Sequence, residues 1–309
     1  MSTLSTQDKL LDFISQNGLG LIRCTLYWDS YLADPTGYSA KVKATADAAD
    51  RYGLRVIYAF MQYNLSSVFG GGGFPASLVT STIGPVANYA TQLDAKKAFL
   101  RVYYDSPVIP DQQAAFMVNL LAPYKDRAST YGYEVFNEAP ILAHADHEKL
   151  KAAQENVANK LVAMDPDAWI VATHRHLLYS DMSFWNAASI KRTIPTTSNG
   201  KVAYGPHCYW RPPKVTQADF DYVFNSISAV NMPTIISEWD IETFPADPVK
   251  MKTVIDFFKS KGWSHCLYIF DSQDKYRTCF NASYDVETTR NVWPALMTAM
   301  GRTQTGAPK

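Results

Sequence analysis

The feature that most restricts the fold is a series of short apolar, β-branched and aromatic runs, separated by segments of helical period. Eight runs read as strands: 21–28 (LIRCTLYW), 54–61 (LRVIYAFM), 98–104 (AFLRVYY), 133–138 (YEVFNE), 169–174 (WIVATH), 202–209 (VAYGPHCY), 234–239 (TIISEW) and 265–270 (HCLYIF). Near-continuous apolar runs belong to strands covered on both faces, which is the habit of parallel sheets. Parallel neighbours need crossover connections, and the intervening segments supply them. In 247–262, Asp247 can cap, Pro248 takes the first helical position, Val254, Ile255 and Phe258 form a stripe, and Gly262 ends the helix. In 147–165, Leu150, Ala153, Val157, Leu161 and Met164 recur at helical spacing until Pro166 stops them. Further helices fit 40–52, 111–122, 217–230 and 286–300. Eight strands alternating with helices give an α/β fold, a (β/α)8 TIM barrel, as one domain over 1–309. An extra helix at 6–17 precedes the first strand and is expected to plug the barrel floor. The segment 62–97 patterns poorly, and its glycine run FGGGGFP (69–75) reads as a mobile rim loop, since no phosphate-loop Lys-Ser or Lys-Thr follows.

In such barrels the loops after the carboxyl ends of the strands build the site. Two glutamates stand there. Glu138 closes the fourth predicted strand and Glu238 the seventh, one hundred residues apart in sequence but across one barrel mouth. Facing carboxylates are what glycoside hydrolysis needs: one protonates the leaving oxygen, and the other attacks the anomeric carbon or activates water. Each carboxylate disfavours ionisation of the other, so one is expected to hold its proton above the ordinary range. Glu138, with apolar strand-end neighbours, is the expected acid. The plain alternative is a pair of surface glutamates in unrelated salt bridges.

Composition narrows the partners. The chain has 309 residues, 47% hydrophobic, with 29 basic and 29 acidic side chains mixed along it. No basic stripe points to nucleic acid, and no apolar run is long enough to span a bilayer. The start, MSTLSTQDKLLDFISQNGLG, has no basic-then-apolar export signal. Cys24, Cys208, Cys266 and Cys279 are scattered without metal-ligand spacing and read as free structural thiols. Aromatic rings stack on the C–H faces of sugars, and Trp28, Trp210, Trp239 and Phe270 lie at or just past predicted strand ends, where a cleft would use them. Trp169, Trp263 and Trp293 read as packing. His174 and His176, in THRH, fit substrate hydrogen bonding better than a metal site, for which the first strand lacks a His-x-His.

The stretches YEVFNEA, HCYW, TIISEW and LIRCTLYW together resemble clan A glycoside hydrolases, most closely glycoside hydrolase family five, the cellulase and mannanase family. The resemblance runs from about residue 20 to 270. It implies Glu138 as acid/base and Glu238 as nucleophile with retention of configuration, Asn137 on the sugar 2-hydroxyl, Arg23 and Tyr209 holding Glu238, and His207 orienting the acid/base subsite. It further implies an endo-acting β-1,4-glucanase, with β-mannan or another β-glycan, or transglycosylation, as alternatives within the clan. No cofactor is expected. The expected partner is a β-linked oligo- or polysaccharide bound by a monomer, with no nucleic acid and no membrane. Family habit favours an extracellular location. The sequence departs from the family where Met61 and Gln62 stand in place of a histidine, and where Phe270 stands in place of a tryptophan. The family also has its arginine on the second strand, whereas Arg23 falls on the first strand read here. From another class, a barrel that binds carbohydrate without turning it over remains open.

Overall fold

The computed structural model describes residues 6–173, 175–176, 186–210, 217–241, 246–267 and 292–303. Its strands, in chain order, are β1 Leu21–Leu26, β2 Arg55–Phe60, β3 Thr130–Glu134, β4 Pro140–Ile141, β5 Trp169–Ala172, β6 Arg175–His176, β7 Val202–Tyr204, β8 His207–Trp210, β9 Ile235–Ile241 and β10 Ser264–Leu267. One parallel sheet runs β1-β2-β3-β5-β7, a second runs β10-β9-β8, and β4 and β6 form a short parallel pair above. A parallel bridge from Tyr204 to Thr234 joins the two large sheets, and β10 lies alongside β1. The layout is that of a (β/α)8 barrel, with helices outside. Because β7 and β8 are one strand interrupted at Gly205–Pro206, the wall has seven strand positions among the described residues.

The count differs from eight because 98–104 is not a strand. It lies in the helix Gln92–Asp105, whose start is capped by the Thr91 side chain accepting from Asp94 N–H. Ala95, Phe99, Leu100, Tyr103 and Tyr104 are its buried residues. That is one helical face, and its aromatic composition imitates strand propensity.

The other helices follow their punctuation. Asp34 accepts from Gly37 N–H to open Pro35–Tyr52, and Gly53, at φ 67°, closes it in the left-handed conformation. Asp247 accepts from the N–H groups of Val249 and Lys250 at the start of Pro248–Ser260. His147–Met164, Gln217–Val230 and Val108–Leu121 occur close to their expected bounds. Val292–Ala299 is the described part of the last expected helix. The N-terminal helix Thr6–Gln16 is present. It packs on Pro35–Tyr52, and Phe13 meets Trp293 of the last helix with ring centroids 5.0 Å apart.

Inside the barrel, Ile57, Val171, Ala203 and Ile235, from four different strands, pack as one buried layer. Trp169 stacks on Tyr131 next to this layer, while Trp263 packs among Phe224, Phe257 and Phe258 outside. The glycine run is closely fitted. Gly72 pairs with Tyr63 in an antiparallel bridge, and a Cβ at Gly71 would sit 1.7 Å from the Tyr63 carbonyl oxygen. Cys24, Cys208 and Cys266 are free thiols, and burial pushes Cys24 and Cys266 up to about 12. Cys279 lies outside the described residues. Among the described residues no helix is long and apolar enough to cross a membrane.

Candidate active site

Strand β3 ends at Glu134, four residues before Glu138; Val135 N–H still donates to the Val171 carbonyl of β5 at 3.2 Å, but the carbonyls of the segment must be satisfied otherwise. Side chains do this. Gln113 Nε2 donates to the Val135 carbonyl at 2.5 Å, Thr173 Oγ1 to that of Phe136 at 3.0 Å, and Gln62 Nε2 to that of Asn137 at 2.9 Å. Asn137 N–H donates to the Phe60 carbonyl at 2.9 Å. The corner so fixed turns sharply: Glu138 has φ 43°, a left-handed conformation that a non-glycine residue adopts only under surrounding constraint.

Glu238 is reached differently. It lies within β9, with three more strand residues beyond it, and it pairs with His207 of β8. Between β9 and β10 the register slips: His265 faces Ile236, but Leu267 faces Trp239, which leaves Ser237 and Glu238 opposite Cys266. An extra residue of this kind re-aims a side chain, and such bulges recur beside active sites. Trp239, adjacent to Glu238, then points the other way. It is 1% exposed, donates its indole N–H to His265 Nδ1 at 3.1 Å and packs edge-on to Phe258. Trp239 is therefore core and not a sugar platform, because successive strand residues face opposite sides.

Six predicted residues meet here. Arg23, on β1, donates from Nη1 to Glu238 Oε1 at 2.6 Å and from Nη2 to Asn137 Oδ1 at 2.7 Å. It also grips Glu134, Nε to Oε2 at 2.8 Å and Nη2 to Oε1 at 2.5 Å. Burial opposes the Arg23 charge, but Glu134 and then Glu238 more than offset this and hold its pKa above the ordinary value. Tyr209 donates its hydroxyl to Glu238 Oε2. Asn137 Nδ2 donates to the Gln62 carbonyl at 2.9 Å, which leaves the second amide hydrogen to point elsewhere.

His207 joins the two walls. Its Nδ1 is 3.1 Å from Glu138 Oε1 and 3.3 Å from Glu238 Oε2. Burial alone would lower its pKa, but the charge of Glu238 and then the bond to Glu138 raise it above the ordinary 6.5. One carboxylate oxygen from each glutamate and one nitrogen of His207 all lie within 4.8 Å of one another. That trio is also the group among the described residues that could chelate a cation, although the Arg23 guanidinium already balances Glu238.

Trp28 stands apart from this cluster. It opens the helix Trp28–Ala33 that leaves the end of β1, stacks on Phe116 at 5.6 Å and 10°, and with Tyr31, Leu32 and Leu78 lines an open groove of about 620 Å³. Trp210 and His176 lie on described strands, but their side chains, like His174 and Phe270 entirely, fall outside the described residues. Sequence reasoning missed Glu134, Gln113 and Thr173, and it marked Gln62 only as a departure. Glu134 left a signal: a carboxylate in one apolar run and an arginine in another need each other.

The similarities to known proteins agree with this layout. The Cellulase family, described as Cellulase (glycosyl hydrolase family 5), matches residues 1–274. Among solved structures, the lactosyl-enzyme intermediate of endo-glycoceramidase II from Rhodococcus sp. superposes with a TM-score of 0.74 at 15% identity, over 94% of this chain and 73% of that one. Endogalactoceramidase gives 0.71 at 12%, over 98% and 76%. A hyperthermophilic endo-β-1,4-glucanase in complex with substrate gives 0.60 at 13%, over 96% and 89%. At such identities the likeness is one of fold. No curated protein matches the sequence. The chain belongs to glycosyl hydrolase family 5 and is a glycoside hydrolase.

Proposed function

We propose, with membership of family 5 as the premise, that this chain is a retaining endo-β-glycosidase that hydrolyses β-1,4-linked glucan by double displacement as a single catalytic domain. The observation that carries the reading is the approach of Glu138 and Glu238 to within 4.8 Å, oxygen to oxygen, with His207 between them. Retaining enzymes keep their carboxyls about 5–5.5 Å apart, and inverting enzymes need roughly 6.5–9.5 Å to admit a water. The short spacing favours retention.

In this mechanism Glu238 is the nucleophile. Arg23 and Tyr209 hold one oxygen each, so the carboxylate is aimed before substrate arrives. Glu138 is the acid/base. Its side chain is 15% exposed against 6% for Glu238, as suits a group that must exchange its proton with water. It protonates the leaving oxygen while Glu238 forms the glycosyl-enzyme, then deprotonates the water that releases the sugar. His207, touching both carboxylates, keeps a proton available to Glu138. Asn137, its amide oxygen tied to Arg23, presents its remaining N–H to the sugar 2-hydroxyl.

A second reading places an apolar aglycone beyond the cleaved bond. The apolar groove at Trp28 favours it, as do the solved neighbours named for ceramide glycosides. One assay separates the readings: product release from cellulose, barley glucan, mannan, xylan and laminarin, beside a β-lactosyl ceramide in detergent. Release from the glucans alone supports the first reading, and release from the glycolipid alone replaces it with the second. A protein that binds oligosaccharide but turns over none of these, nor an aryl β-glycoside at any pH, is a binding barrel.

A further inference from the structure

We infer that Glu134 is a positioning residue for the reaction, acting on Glu238 through Arg23. The inference deepens the functional reading above and rests on it.

The geometry leaves little freedom. Glu134 is the last residue of β3, with no exposed surface, and both of its oxygens are taken by the Arg23 fork, at 2.8 and 2.5 Å. A bidentate arginine–carboxylate pair fixes the plane of the guanidinium as well as its position. With Nε and one edge of Nη2 committed to Glu134, the plane of the fork is set, and Glu238 Oε1 accepts from one Nη1 hydrogen at 2.6 Å. The other Nη2 hydrogen meets Asn137. Glu134 thus aims one arginine at two residues of the opposite and adjacent walls, although it reaches neither itself.

Charge supplies the second half of the argument. A buried guanidinium paired with Glu238 alone would stabilise that carboxylate strongly as an anion and weaken it as a nucleophile. Glu134 divides the same positive charge. Among the described residues, the groups facing Glu238 include Arg23 from β1, Glu138 from the corner after β3, His207 and Tyr209 from β8, and Cys266 from β10. Glu134 is the carboxylate of this surround that touches Arg23 directly without taking part in bond making.

Glu134→Gln keeps the shape and removes the charge. It is expected to lower kcat about 10- to 100-fold, the loss of a hydrogen bond to a charged group, with KM within about threefold. The acidic limb of kcat/KM on an aryl β-glycoside should move to lower pH, since Arg23 then faces Glu238 undivided. A part in folding alone would lower the melting temperature and the active fraction and leave the limb in place, which would overturn the inference. Glu134→Asp, which retains charge but shortens the reach, should keep the wild-type limb and still lose kcat; wild-type kcat in that variant would sink the aiming role. The same displacement is readable without substrate from labelled glutamate carboxyl resonances, that of Glu238 being the one lost in Glu238→Gln. If the wild-type protein cleaves no glycoside, the functional reading falls, and an unmoved resonance in Glu134→Gln then decides against this inference separately.

Discussion

The two walls of the cleft hold their glutamates by opposite means. On the first, the protein fixes backbone: three successive carbonyls, of Val135, Phe136 and Asn137, accept from Gln113, Thr173 and Gln62, and the Glu138 side chain projects from a left-handed corner. On the second, the backbone is ordinary strand with one bulge, and the protein fixes the carboxylate itself through Arg23 and Tyr209. A group that shuttles a proton needs its place held and its head partly accessible. A group that attacks carbon needs its head aimed. The contrast in restraint is itself an argument for which glutamate does which.

That contrast can be broken at several depths. Glu238→Ala should have the largest effect, a loss of about 10⁴-fold or more in turnover, and azide should restore activity by forming a glycosyl azide of inverted anomeric configuration. Rescue with that stereochemistry from the Glu138 variant instead would exchange the two walls. Glu138→Ala should lose about 10²- to 10⁴-fold on substrates with poor leaving groups and far less on activated aryl glycosides. An equal loss on both would remove Glu138 from acid catalysis.

Smaller changes should separate the walls by kind. Tyr209→Phe deletes a hydrogen bond to a carboxylate and should lower kcat about 10-fold or somewhat more, with the melting temperature little changed. Gln62→Leu leaves the Asn137 carbonyl and the Leu65 N–H without their partner, and should lower stability by about 1–3 kcal/mol. Urea unfolding and steady-state kinetics on both variants test the pairing; a stability loss confined to Tyr209→Phe would reverse it.

The smallest effect is in pH. His207 binds its proton more tightly folded than unfolded, so its contribution to stability is complete below pH 6.5 and fades as pH climbs through the raised folded value. His265, beside Trp239 on the outer side of β10, is the reverse: burial first, then Lys259, lowers it to about 4. Its contribution is present above 6.5 and is lost as pH falls from there toward 4. Unfolding free energy measured from pH 4 to 8 should lose its alkaline decline in His207→Gln and its acidic decline in His265→Gln.

Much of this was legible because it follows from period and punctuation. Near-continuous apolar runs announced parallel strands, and Asp247 and Gly53 mark helix ends that formed where their chemistry requires. Glu138 and Glu238 were visible as carboxylates at the ends of apolar runs, and Arg23, His207 and Tyr209 through the family resemblance. What stayed hidden depends on facing and on long-range partners. Residues 98–104 have strand-like composition on a helical face. Trp239 was grouped with Glu238 although neighbours in a strand diverge. Gln113 and Thr173 act through the carbonyls of residues 22 and 37 positions away, which no local pattern records.

The side-chain splints under the Glu138 corner carry an evolutionary consequence. A segment whose carbonyls were tied into a neighbouring strand could not be lengthened without shifting that strand's register. Here the carbonyls are fastened by side chains from one helix, the loop after β2 and the residue after β5, while the N–H groups of Val135 and Asn137 keep the segment in register with β5 and β2. Rim segments can therefore be exchanged, lengthened or recruited for new sugars while the reactive geometry beneath them stays unaltered.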